Sequence, residues 1–176
     1  MTGVNLTRSI GEYVVYKKRG VFVIESTKEE RIGKEVKVYY VLRSVYDEKS
    51  TVYVPADSEV LVSQMENVLT KDEIDRIIEK SKEVTIEWKT PAGARSPYLE
   101  EIVKSFDLSD IIAMYILLRK KRAEALSTKT KVFAHDERML SQAQKIIFEA
   151  FSHPLGLKKN EVISYVFEKA GYVPET

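Results

Sequence analysis

The sequence predicts an α+β chain in two domains, a small, strongly bent β-barrel followed by an all-α half. Three observations lead there. The first third alternates apolar and polar residues with period two and is rich in Val, Tyr and Thr, which is the mark of half-buried strands. The second half carries long apolar stretches at helical spacing. Between them Ile86 to Tyr98 holds Pro91, Gly93, Pro97 and the single tryptophan, Trp88, so it reads as turn-rich connection. The expected domains are 1–84, a barrel with a closing helix; 85–98, a linker bearing Trp88; and 99–176, helical.

In chain order, Gly11 to Tyr16 and Val21 to Glu25 read as two short strands joined by the tight basic turn Lys17-Lys18-Arg19-Gly20, with Gly20 free to take positive φ. Gly33 marks the next turn. Val36, Val38, Tyr40 and Leu42 then alternate with Lys37, Tyr39, Val41 and Arg43, giving a strand with one buried face. Asp47 to Ser50 turns the chain into Thr51-Val52-Tyr53-Val54-Pro55, and Pro55 ends that strand because it has no N–H for a ladder. Four or five strands in about 60 residues fit a small barrel better than a broad sandwich.

Thr70 and Glu73 have capping-box spacing, and Ile74, Ile77 and Ile78 form the apolar stripe of a short helix closing the first domain. Ser96-Pro97 reads as a helix start, with Ser as cap and Pro at the first helical position. Asp107 or Ser109 opens the next helix, whose body, Ile111 to Leu118, is apolar nearly all round and belongs at the centre of the helical half. Met139, Leu140, Ala143, Ile146, Ile147, Ala150 and Phe151 make one stripe of a long helix stopped by Pro154 and Gly156. Asn160 is the expected cap of a last helix ending at Gly171.

Composition excludes several classes. Net charge is +1, from 28 basic and 27 acidic residues, so the chain is no globally basic nucleic-acid coat. Charge is nonetheless local: Leu117 to Val132 holds Arg119, Lys120, Lys121, Arg122, Lys129 and Lys131 against Glu124 alone. Cysteine is absent, which removes disulfide and thiolate chemistry. The longest apolar run is far short of the ~20 residues of a membrane helix. A cytoplasmic protein without membrane association is expected. No phosphate loop, nucleophile elbow or metal-ligand spacing is present, and His135-Asp136-Glu137 reads as ordinary N-terminal helix charge, so neither catalysis nor a cofactor or metal is expected.

Two features remain for binding. An open strand edge accepts a strand from a partner or is blunted by its own Lys and Glu residues. The basic run Arg119 to Lys131, with Trp88 and Arg95 on the linker, combines phosphate-binding charge with a flat apolar ring; its plain alternative is a solvated helix end and a lysine-bearing loop. Trp88 itself is either an exposed ring or a plug.

The order and spacing of Ile10-Gly11-Glu12-Tyr13-Val14-Val15-Tyr16, Gly20-Val21, Tyr39-Tyr40-Val41-Leu42-Arg43 and Val52-Tyr53-Val54-Pro55-Ala56-Asp57 resemble the N-terminal domain of the CarD family of bacterial transcription regulators. Trp88, Arg95, Ser105 to Asp107, and Asp136-Glu137-Arg138-Met139-Leu140 with Ala143 and Ile146 resemble its helical C-terminal domain. The resemblance implies a Tudor-like barrel that pairs an edge strand with the RNA polymerase β subunit, here through Tyr39, Val41, Arg43, Val52, Tyr53 and Arg31. It also implies a helical domain touching promoter DNA at the upstream edge of the bubble, with Trp88 wedged into the minor groove and Lys89, Arg95, Arg119, Arg122, Lys129, Lys131 and Arg138 on phosphates. Tyr53 stands where other members carry an arginine, and Glu137 where they carry a basic residue. The implied function is a non-enzymatic regulator that stabilises the open promoter complex; the alternative is a barrel adaptor for another protein, with no DNA role. A barrel edge also pairs with its own copy, so a homodimer is a further expectation.

Overall fold

The computed structural model describes residues 6–174, and the chain divides at Val68/Leu69 into two compact units. The first is a five-stranded antiparallel sheet of β1 (Tyr13–Tyr16), β2 (Val21–Ile32), β3 (Glu35–Ser44), β4 (Thr51–Pro55) and β5 (Met65–Asn67), in the order β4-β3-β2-β1-β5. A one-turn helix, α1 (Glu59–Val62), joins the last two strands. The alternation does what its period demands: Val14, Ile24, Tyr40, Leu42, Val54 and Met65 bury one face, with Val52, Leu61 and Val62 packed against it.

Local chemistry sets the turns. Between β1 and β2, Lys17 and Lys18 both take positive φ (51° and 57°), and the Arg19 N–H closes the turn on the Tyr16 carbonyl at 3.0 Å before Gly20 (φ 92°) re-enters the sheet. Hairpin β2–β3 runs much further than the predicted end at Glu25. β4 pairs only with Tyr39–Arg43 and β1 only with Val21–Val23, so beyond Lys28 and Tyr39 the hairpin continues as a two-stranded ribbon to Gly33. Its residues are charged on both faces because no third strand covers them.

The strands of the expected small barrel form a sheet that does not close by strand pairing. Among the described residues no hydrogen-bonded ladder joins β4 to β5. Instead the outer side of β5 is taken by Arg8, whose guanidinium donates to the Met65 carbonyl and to Asn67 Oδ1 (3.0 Å) while pairing with Glu12 at 2.6 Å.

The second unit is helical: α2 (Lys71–Ser81), α3 (Ala92–Ser105), α4 (Leu108–Ser127), α5 (Ala134–Leu155) and α6 (Lys159–Ala170). α4 is the central helix, as its all-round apolar body requires, with Ile111, Ile112, Met114, Tyr115 and Leu118 all buried. Asp107 caps it by accepting the N–H groups of Ser109 and Asp110. The Thr70–Glu73 capping box is present at the start of α2. Its stripe, however, packs here: Ile74 and Ile78 are fully buried in the helical core with α4 and α6. The helix expected to close the first domain therefore belongs to the second, and the boundary lies at residue 68 rather than 84.

Three further expectations need correcting. α3 begins at Ala92, not at Ser96-Pro97, so much of the expected 85–98 linker is helix and Pro97 lies inside it. The Ser96 hydroxyl caps nothing and turns back to the Ala92 carbonyl (3.1 Å), four residues earlier, while Pro97, without an N–H, gives no ladder bond to the Gly93 carbonyl. Pro154 sits in the last turn of α5, and left-handed Gly156 (φ 65°) alone ends the helix. Lys158, not Asn160, is the N-cap of α6, because Glu161 reaches back to the Lys158 N–H at 2.7 Å.

α2 is tied to α6 by Asp75, which accepts the Tyr165 hydroxyl and pairs with Lys71 (3.0 Å) and Lys169 (3.2 Å). The Tyr165 hydrogen bond, ahead of the two lysines, holds the Asp75 carboxyl well below its ordinary 3.8, at about 2. A depressed folded-state value means stability present above pH 3.8 and lost as the pH falls through about 2. Thermal unfolding of Asp75→Asn is accordingly expected several degrees below wild type at neutral pH, with the gap closing as the pH approaches about 2; Tyr165→Phe should flatten that pH dependence.

Candidate functional site

The first candidate site is the edge of β4. Ser44 donates to the Ser50 carbonyl at 3.0 Å and Ala56 to the Val38 carbonyl at 2.8 Å, which fixes the even-numbered residues of β4 as those bonded to β3. The N–H and C=O groups of Thr51 and Tyr53 therefore point away from the sheet, unpaired among the described residues. Pro55 occupies the next outward position, where its missing donor costs no ladder bond. Side chains alternate with them: Val52 and Val54 face the core, while Tyr53, 55% exposed, lies across from Val41 on the outer face with the Lys28 ammonium 5.5 Å from its ring. Arg43 shares that face but is engaged, bidentate to Glu25 (2.8 and 2.7 Å) and bonded to the Glu48 carbonyl (2.8 Å). The hydrogen bond from Arg43 holds Glu25 below its ordinary value, and the same bond raises Arg43.

The second candidate site is in the helical unit. Trp88 lies in the irregular chain ahead of α3, half-buried against the helical core. Its seat is Arg95. The guanidinium stacks on the indole 3.9 Å from the ring centroid, donates to the Lys89 carbonyl at 2.8 Å, and makes a bidentate pair with Asp136 at 3.1 and 2.7 Å. Arg95 is 2% exposed and Asp136 9%. All of this brings the first turns of α3 and α5 together under the Trp88–Lys89 peptide. Above it opens a cleft of about 470 Å³, walled by Trp88 and Phe133 and bordered by Lys121, Arg122 and Lys131.

Residues 9–66, the whole of β1 to β4 and most of β5, match the family model of the CarD-like/TRCF RID domain. The sheet unit is thus a CarD-like/TRCF RID domain. RID domains are RNA polymerase-interacting, non-enzymatic modules, which is consistent with a transcription-related role. A search of curated proteins returned no match. Among the described residues no group of acidic, His or Cys side chains is arranged to hold a metal, and no helix is long and apolar enough to cross a membrane.

The residues expected to meet RNA polymerase separate in the CarD-like sheet. Tyr53, Val41 and Arg43 share the outer face; Tyr39 lies on the same face of β3; Val52 turns to the core; and Arg31 sits on the ribbon, on the face it shares with Val36. β3 is flanked by β2 and β4 along Tyr39–Arg43 and offers no edge there; within that three-stranded part of the sheet, β4 is the strand whose outer side is free among the described residues.

The residues expected at DNA separate as well. Trp88, Arg95, Arg122 and Lys131 border the cleft, with Lys89 beside it, its ammonium 4.3 Å from the Tyr98 ring. Arg95 is buried, and its Nε, Nη1 and Nη2 donate to Asp136 and to the Lys89 carbonyl rather than standing free for a phosphate. Arg122 is held by Glu137 (2.8 Å), the acid standing where a basic residue was expected. Arg138 turns to Glu100 (3.4 Å), which His135 also meets at 3.2 Å. Arg119 lies 5.8 Å from the Phe167 ring. Lys129 and Lys131 stand exposed in the α4–α5 loop and, among the described residues, have no carboxylate partner. Asp136 and Phe133 were missed. Asp136 is 41 residues from Arg95, beyond any local pattern, whereas Phe133 directly follows the lysine-bearing loop and was legible there.

Breaking a buried ion pair leaves an uncompensated charge, whereas removing both charges does not. Asp136→Ala is expected to lower the stability of the chain by about 3–5 kcal/mol in urea unfolding, and the double replacement Arg95→Met with Asp136→Leu to recover most of that loss.

Proposed function

We propose that this protein docks on the RNA polymerase β subunit by adding a strand to β4, and stabilises the open promoter complex through Trp88 at the upstream edge of the bubble. The observation that carries the docking half is the contrast between the two edges of the sheet. β5 is sealed by Arg8, while β4 presents the amides and carbonyls of Thr51 and Tyr53 within a domain of the RNA polymerase-interacting family. Main-chain bonds give such strand addition its affinity, and the exposed Tyr53 beside Val41 supplies apolar contact for the incoming strand.

The DNA half rests on chemistry suited to a wedge. A ring inserted at a base step unstacks it and slows reannealing, and phosphate contacts position the ring without reading sequence. Trp88 is backed by the buried Arg95 guanidinium, so its conformational freedom is already restricted before DNA arrives. Lys89, Lys129 and Lys131 are the cations near it that no carboxylate holds among the described residues. If the wedge favours the open over the closed complex by ~1.4 kcal/mol, the open population rises about tenfold.

Two substitutions separate the halves. Tyr53→Pro removes a donor that β3 does not use, so the sheet should fold while affinity for the β subunit in a titration drops at least about tenfold; unchanged affinity would remove the β4 edge from the interface. Trp88→Ala should leave polymerase binding intact and shorten open-complex lifetimes, and equal lifetimes for wild type and variant contradict the wedge.

A further inference from the structure

The cleft beside Trp88 has a second aromatic wall that the wedge does not use. Phe133 is 41% exposed at the N-cap of α5, where it makes no side-chain capping bond. A Ser, Thr, Asp or Asn would serve the helix better there, and an exposed ring has nothing to gain from solvent. The contacts of this ring are instead with the Arg95 guanidinium and the Lys131 ammonium, on the side of the cleft.

The buried Arg95 guanidinium lies 3.9 Å from the Trp88 ring centroid and 5.6 Å from that of Phe133, so both rings flank one cation at the border of one cleft. At about 470 Å³ the cleft falls within the range that accepts a small flat ligand, roughly 300–1,000 Å³. Its acids are already neutralised: Asp136 by Arg95, Glu137 by Arg122 and Glu124 by Lys121. Its free charge is positive, from Lys131, whose ammonium is 5.4 Å from the Phe133 ring, and from neighbouring Lys129. Two π-faces with unpaired cations at the mouth and no unpaired acid suit a base on a phosphate chain. Bases in a duplex are stacked and cannot enter; an unpaired one can.

We propose that the Trp88–Phe133 cleft takes one unpaired nucleobase of single-stranded DNA, with Phe133 as its stacking platform and Lys129 and Lys131 on the flanking phosphates. This rests on the reading of the helical unit as the DNA-facing part. It gives that unit a second source of preference for melted DNA beside the wedge.

The test measures binding of the full chain, by fluorescence anisotropy, to a blunt duplex, to the same duplex with an oligothymidylate tail, and to that duplex with abasic residues in the tail. Wild type should prefer the oligothymidylate tail, and the abasic tail should abolish the preference. Phe133→Ala should lose between about fivefold and about 150-fold on the oligothymidylate tail and nothing on the blunt duplex, and Phe133→Tyr should retain the tail preference. Equal binding of thymidylate and abasic tails by wild type overturns the proposal without any variant. So does a Phe133→Ala loss that is absent, or the same on both DNAs. Wild-type binding to none of the three DNAs overturns the DNA-facing reading itself, and this inference with it.

Discussion

An antiparallel sheet that does not close leaves two rows of backbone groups to be satisfied, and the first unit treats its two edges differently. At β5 the strand is only three residues long and Arg8 fills the outer side, its guanidinium on the Met65 carbonyl and its backbone N–H on the Tyr40 hydroxyl at 3.1 Å. At β4 nothing among the described residues covers Thr51 and Tyr53. Natural proteins blunt free edges with charge, proline or short length. β4 has Pro55 at one end, but its middle presents Tyr53 rather than a lysine. An edge left adhesive at its centre and stopped at its end is suited to one short incoming strand rather than to open-ended sheet growth.

The helical unit depends on a different kind of constraint. A guanidinium at 2% exposure is tolerable only with its donors spent, and Arg95 spends them on Asp136 and on the Lys89 carbonyl. The consequence reaches beyond stability. Because one of those bonds falls on the residue after Trp88 and the guanidinium plane backs the indole, irregular chain with no helical or strand ladder of its own is tied to the helices beneath it. Of the cations that sequence reasoning assigned to DNA, Arg95, Arg122 and Arg138 are paired with carboxylates, whereas Lys89, Arg119, Lys129 and Lys131 have no carboxylate partner among the described residues.

Much of this was legible in the sequence, and the failures have physical reasons. Period-two alternation found the strands that bury a face, and missed the outer half of β2 because a ribbon without a covering layer has no apolar face to advertise. The α2 stripe was visible, but an amphipathic pattern states that a face is buried, not which unit buries it. Ser96-Pro97 has the form of a helix start; the real start at Ala92 follows Pro91, which makes no side-chain cap and so leaves no signature. Asp136 looked like an ordinary first-turn acid because its partner is distant in sequence. The burial of Arg95 was not legible, since composition cannot distinguish a buried guanidinium from a solvated one.

The RID-family match ties this sheet to the transcription machinery, and the proposed docking rests on the β4 edge. Amide hydrogen exchange on the full chain, with and without the RNA polymerase β subunit, reads that edge directly. The amides of Thr51 and Tyr53 exchange freely in the free protein on this account and become protected in the complex, while those of Val52 and Val54, already bonded to β3, change little. Binding of the β subunit with Thr51 and Tyr53 still exchanging freely, or with new protection confined to other strands, would contradict it.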